Sequence, residues 1–158
     1  MVVDGKLLNR PSGTTSQREV MSAIAVSVNN KGKRPAAMSE THHIAMLGTG
    51  FIADFYTNTL HSQRTMDRVH TVYSLSPKQV DKHLKDKWDV PNKTTDLNEA
   101  IQNDTIDTVI IGLPNHRHEE AVIVAADAGK AILCTKPLGR TAQETLVMLE
   151  AVEKKRRI

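Results

Sequence analysis

From residue 43 onward, apolar and polar positions alternate between two rhythms. "HIAMLG" is a short apolar run of strand type, and "FIADFYTNTLHS" follows with helical spacing, placing Phe51, Ile52, Phe55, Tyr56 and Leu60 on one side. "RVHTVYSL" returns to a strand pattern. Pro77 opens "PKQVDKHLKDKW" as a helix, at the first-turn position where its missing N–H costs nothing. "NKTT" reads as a short third strand, and Asp96 as the cap of a helix from Leu97 to about Gln102. "DTVIIGLP" is apolar on both faces, as a central parallel strand must be. "HEEAVIVAADAG" is a helix ended by Gly129. "AILC" is a fifth strand, left as the edge of the sheet. "TAQETLVMLEAVEKK" is a last helix, with Thr141 and Glu144 spaced as a capping box and a basic tail suited to its C-terminus. Strands alternating with helices predict an α/β fold, a doubly wound parallel sheet of Rossmann type over residues 43–158 with strand order 3-2-1-4-5.

The first junction carries chemistry. Gly48-Thr49-Gly50-x-x-Ala53 leaves the first strand and opens the first helix. Gly48 permits the tight turn, Gly50 lets backbone approach a pyrophosphate seated on the helix N-terminus, and Ala53 keeps helix and strand close. Phe51 and Ile52, the first two helical residues, stand beside that phosphate position and join Gly48 and Gly50 as candidate cofactor-binding residues. A nicotinamide dinucleotide is the ligand this pattern predicts.

The same fingerprint expects an acidic residue about twenty positions on, holding the adenosine ribose at the end of the second strand. Counting alone picks Asp67, but Asp67 precedes the strand and falls at the wrong end of the sheet. The strand's carboxyl end is Tyr73-Ser74-Leu75-Ser76, with no carboxylate to repel a 2′-phosphate. Ser74 and Ser76 offer hydrogen bonds, and Lys78 supplies a charge nearby. NADP is therefore favoured over NAD, with Ser74 the residue that faces the ribose.

Residues 1–40 change the picture. "NRPSGTTSQ" and "NNKGKRPAAMSE" have the Gly, Pro, Ser and Asn content of loops, and "VMSAIAVSV" is the apolar patch between them. No tight basic cluster precedes that patch and no clear cleavage site follows it, so it is not read as a secretory signal. We expect residues 1–40 to be a flexible extension and residues 41–158 the nucleotide-binding domain. The net charge of +3 is mild and dispersed, which argues against nucleic acid, and no apolar run reaches membrane-spanning length. Cys134 is the single cysteine, so no internal disulfide is possible, in keeping with a reducing, cytoplasmic setting. It reads as a small core residue. His42-His43 and His116-x-His118 lack the further ligands a zinc site needs, and no metal is expected.

Two later stretches add a family. Pro114-Asn115-His116-Arg117-His118 ends the fourth strand and Thr135-Lys136-Pro137 ends the fifth. With Gly48, Gly50 and Ala53, they make the chain resemble the glucose-fructose oxidoreductase and inositol dehydrogenase family of NAD(P)-dependent sugar oxidoreductases. There the fourth strand ends in Pro-Asn-x-x-His and the fifth in Glu-Lys-Pro. The resemblance implies that Pro114, Asn115, His118 and Pro137 bind cofactor, and that Lys136 sits beside both nicotinamide and substrate hydroxyl. Its ammonium would orient the hydroxyl and steady the developing alkoxide as hydride leaves. Thr135 stands where the family has Glu, which removes a carboxylate that would hold the lysine in place. The family's second domain carries the substrate contacts, the catalytic base and most of the oligomer interface, and we expect this chain to be a fragment that holds the cofactor half alone. The resemblance thus implies the cofactor half of a homo-oligomeric enzyme acting on a sugar-like or cyclic polyol alcohol, little active alone. A non-catalytic NAD(P)-binding regulator and an unliganded structural domain are the alternatives.

Overall fold

The computed structural model describes residues 2–3, 6–7, 25–26, 41–64, 66–79, 81 and 88–156. The elements are β1 (Val2–Val3), β2 (Lys6–Leu7), β3 (Ala25–Val26), β4 (His42–Leu47), α1 (Phe51–Gln63), β5 (Asp67–Tyr73), β6 (Asn92–Thr94), α2 (Leu97–Gln102), β7 (Thr108–Ile111), a 3₁₀ turn (Asn115–Arg117), α3 (His118–Asp127), β8 (Ala131–Cys134) and α4 (Ala142–Arg156). Of the helix expected from Pro77, residues 77–79 and 81 are helical, and residues 80 and 82–87 lie outside the described set. So do the loops expected in residues 1–40, all but two residues of the "VMSAIAVSV" patch, and residues 157–158.

Five strands form the expected parallel sheet, in spatial order β6-β5-β4-β7-β8. This is the 3-2-1-4-5 order of a doubly wound fold, with the first strand central. The period of two sorts each strand between faces. In β4, Ala45 and Leu47 join one buried cluster with Val109, Ile111, Ala121, Ala125 and Met148, while Ile44 and Met46 join another with Ala53, Val69, Val72 and Ile110. Helices α2, α3 and α4 cover the first face; α1 and residues 88–90 cover the second. Asp96 caps α2 by accepting from the amides of Asn98 at 2.8 Å and Glu99 at 3.2 Å. Thr141 accepts from the amide of Glu144 at 3.1 Å, and the Glu144 carboxylate reaches back to the Arg140 amide at 2.7 Å, one residue before the expected partner. No helix among the described residues is long and apolar enough to cross a membrane.

Two expectations are corrected. The strand "AILC" is not left as a bare edge: β3 pairs antiparallel with β8, Ala25 opposite Leu133 and Val26 opposite Ile132. Main-chain groups on β8's outer side therefore find partners, which blunts the edge. The buried stripe of α1 also differs from the one periodicity predicts. Ala53 and Thr57 are buried, Tyr56 and Leu60 pack partly, and Phe51, Ile52 and Phe55 are exposed. The cause is proximity. The backbone of Ala53 lies 3.5 Å from the position a Cβ on Gly112 would occupy, so the first turn of α1 sits against the sheet. Small side chains fit there, and Thr57 satisfies its hydroxyl on the Ala53 carbonyl at 2.8 Å. The bulky residues turn outward.

The end of the sheet at the strands' N-termini concentrates histidines. His61 Nε2 accepts the Val69 amide at 3.1 Å, and burial, then the nearby Arg68 charge, lowers its pKa despite an opposing Asp89. His70 stacks on His43 with ring centroids 4.8 Å apart, and burial, then His43, lowers its pKa too. Burial pushes the Asp67 carboxyl up, but hydrogen bonds from His42 and Arg64 outweigh it and bring the net value down. Both depressed histidines bind protons more readily in the unfolded chain. Stability is therefore highest above about pH 6.5 and falls as pH drops below it, whereas Asp67 acts only far lower. Urea unfolding should show a lower midpoint at pH 5.5 than at pH 7.5. The difference should shrink in His61→Asn, and a flat profile between these values would contradict the assignment.

Candidate dinucleotide site

The carboxyl ends of β4, β5 and β7 open into a cleft of about 530 Å³. It is built first by the glycine turn. Gly48 has φ +117°, and its amide donates to the Tyr73 carbonyl at 2.8 Å, locking the turn to β5. A Cβ on Gly48 would lie 2.6 Å from the Gly112 carbonyl oxygen. Gly50 differs in kind. Its φ of −81° and ψ of −176° suit any residue, and nothing lies within 4 Å of where its Cβ would stand. The fold needs glycine at 48, while at 50 it leaves open space at the start of α1, whose first amides suit an anion.

The lining of this cleft includes Gly48, Gly50, Phe51, Ile52, Ser74 and Pro114 from the predicted set. The turn and the ends of β5 and β7 bring them together. Asn115, Lys136 and Pro137 are exposed and are not among its lining residues. His118 is placed differently from the expectation that it lines the cleft. Its ring is fully buried, with Nδ1 at 3.1 Å and 3.0 Å from the carbonyls of Pro137 and Leu138, and Nε2 at 2.9 Å from that of Leu113. As the first residue of α3, it points between the loops after β7 and β8 and ties one to the other. The Lys136–Pro137 peptide is cis, and the Thr135 amide donates to the Ile111 carbonyl at 3.1 Å, carrying β8's pairing up to the lysine. Burial pushes the Cys134 thiol up to about 12, which leaves it protonated and inert in the core.

The adenosine end of such a cleft lies at the end of the second parallel strand, here β5. Thr49 Oγ1 stands 3.2 Å from Ser74 Oγ and 3.3 Å from Gln79 Oε1, and the Ser76 amide donates to Ser74 Oγ at 3.3 Å. Among the described residues no carboxylate lines the cleft, and Arg117 is one of the lining residues. Lys78 is exposed and is not among the lining residues. Asp67 begins β5 at the opposite end of the sheet, as its position in the sequence implies. Sequence reasoning missed Thr49, Gln79 and Arg117. Thr49 was legible as the residue between the two glycines, but Gln79 and Arg117 arrive from separate segments.

Comparison with known proteins follows the same outline. Residues 42–158 match the family model described as "Oxidoreductase family, NAD-binding Rossmann fold". The chain is 47% identical over 64 residues to levoglucosan dehydrogenase of Pseudarthrobacter phenanthrenivorans, covering 40% of this chain and 16% of that protein. It is 28% identical over 109 residues to scyllo-inositol 2-dehydrogenase (NADP(+)) of Bacillus subtilis, covering 69% and 33%. Apo scyllo-inositol dehydrogenase of Lactobacillus casei superposes with a TM-score of 0.70 at 20% identity, covering 77% of this chain and 36% of that one, which supports the fold. The chain spans a third or less of the length of these curated relatives. By its fold, its glycine turn and the match over residues 42–158, the chain belongs to the oxidoreductase family with an NAD-binding Rossmann fold.

Proposed function

We propose that the chain is the nucleotide-binding half of an NAD(P)-dependent oxidoreductase acting on a secondary alcohol of a sugar or cyclic polyol, with NADP favoured over NAD. The observation that carries this reading is Gly50: among the described residues no neighbour lies within 4 Å of its missing Cβ, so the space at the start of α1 is open to a ligand. A pyrophosphate on the first turn of α1 fits that space and the exposed amides. The names of two relatives, a levoglucosan dehydrogenase and an NADP(+)-linked scyllo-inositol dehydrogenase, support the alcohol class.

When bound, nicotinamide supplies the hydride acceptor. The chain's own part is to bind, orient and stabilise. The first turn of α1 holds the pyrophosphate, and Ser74 and its hydrogen-bonded neighbours face the ribose. Lys136 follows β8 at the same end of the sheet, on a loop that His118 fastens through the Pro137 and Leu138 carbonyls. Its exposed ammonium suits a substrate hydroxyl approaching from outside, where positive charge steadies a forming alkoxide. With Thr135 beside it, no carboxylate precedes the lysine.

The test is titration of NADP and NAD into the wild type, Ser74→Asp and Lys136→Ala. A carboxylate at 74 accepts from Thr49 and the Ser76 amide and repels a 2′-phosphate. The NADP-to-NAD affinity ratio should therefore fall at least about tenfold. Lys136→Ala should leave both affinities within about twofold, since its role is at the reacting carbon. An unchanged ratio in Ser74→Asp means that Ser74 does not face the ribose.

A further inference from the structure

We propose that Arg117, rather than a residue of the loop after β5, is the cation that receives the 2′-phosphate of NADP. This rests on the dinucleotide reading above. Arg117 ends the 3₁₀ turn after β7, lines the cleft and hydrogen-bonds the side chain of Tyr73 in β5. Its Nη2 donates to the Tyr73 hydroxyl over a long 3.4 Å, and Tyr73 is the last residue of β5, adjoining Ser74. Arg117 and Ser74 line the same cleft, at the end of the sheet where the adenosine ribose of this fold lies and where a nearby arginine accommodates a 2′-phosphate.

Its own hydrogen bonding is incomplete. Arg117 Nε is buried with no partner, alone in this respect among the side-chain nitrogens and oxygens of the described residues. Its named partners, Tyr73 and Glu120, both sit on Nη2, the carboxylate at 3.0 Å. A guanidinium offers Nε–H and an Nη–H as a fork matched to two phosphate oxygens, and here half of that fork is unused. Turning this fork onto a phosphate would satisfy Nε and replace the long tyrosine contact by a charge-assisted one. Glu120, more than half exposed, is the competing anion that holds the side chain meanwhile. No other acidic residue of the described set is paired with Arg117, and none lines the cleft.

The experiment titrates the full chain with NADP and NAD, and with 2′,5′-ADP against ADP, which isolate the adenosine end. In Arg117→Gln, affinity for NADP and 2′,5′-ADP should fall about tenfold or more, while NAD and ADP change less than about twofold. Arg117→Lys keeps charge but loses the fork, and should fall in between. Glu120→Gln removes the competitor and should tighten the phosphorylated ligands alone. Thermal melts check that each variant remains folded. An equal loss of both nucleotide types in Arg117→Gln would mean that Arg117 packs on the adenine, and would overturn the assignment without touching the dinucleotide reading. Wild-type chain that binds neither NADP nor NAD would overturn both.

Discussion

Gly50→Val should abolish dinucleotide binding while leaving the fold intact. Gly50 has φ −81° and ψ −176°, extended backbone in which valine is at ease, and its Cβ would meet nothing within 4 Å. The structural cost is the weaker helix start that valine gives in place of glycine, about 0.5–1 kcal/mol, partly offset by a stiffer unfolded chain. The melting temperature should therefore drop by no more than about 5 °C. The functional cost is larger. The valine methyls fill the space from which an anion reaches the first amides of α1, and losing two such charge-assisted hydrogen bonds weakens affinity by about a hundredfold or more. Calorimetric titration beside a thermal melt reads both. A variant that melts normally and binds normally would show that the open space at Gly50 has no ligand.

Two residues earlier, the same mutation class should act on the fold instead. In Gly48→Ala the new Cβ would lie 2.6 Å from the Gly112 carbonyl oxygen, a distance that real Cβ atoms essentially never show, and 3.0 Å from its carbon. Neither backbone can move away cheaply. The Gly48 amide is bonded to the Tyr73 carbonyl and the Gly112 amide to the Leu47 carbonyl, each at 2.8 Å, so relief would break pairings between central strands. The φ of +117° adds strain for any L side chain. Together these should cost about 3–5 kcal/mol, a large share of a domain's total stability. Denaturant unfolding followed by circular dichroism should show a strongly lowered midpoint. A loss under about 1 kcal/mol would mean that the turn relaxes in a way the packing of Gly48 on Gly112 does not allow.

This contrast between two glycines marks what the sequence could and could not tell. The spacing Gly-x-Gly-x-x-Ala was legible because the turn is local: three residues, one strand end, one helix start. Asp96 and the Thr141–Glu144 cap were legible for the same reason, since caps act over three or four positions. Strand order followed from alternation, because a right-handed crossover leaves few arrangements. The exposed Phe51 and Phe55 were not legible. Periodicity groups residues on a face, but only the nearness of the Gly112 backbone decides that Ala53 and Thr57 are the face that packs. His118 was legible as a notable residue and not as a buried one, since its three carbonyl neighbours lie five, 19 and 20 residues away along the chain. Arg117 was harder still, because its contact with Tyr73 spans 44 residues. The pairing of β3 with β8 joins segments more than a hundred residues apart, beyond any local signal.

The cleft at the ends of β4, β5 and β7 is proposed to hold a nicotinamide dinucleotide. The most direct measurement is isothermal titration of NADP and NAD into the full 158-residue chain, with its cooperative melt recorded on the same preparation. The expected result is one saturable site per chain, with a Kd between about 1 μM and 1 mM and tighter for NADP. A chain that melts cooperatively yet gives no binding heat with either nucleotide at millimolar concentration would contradict it.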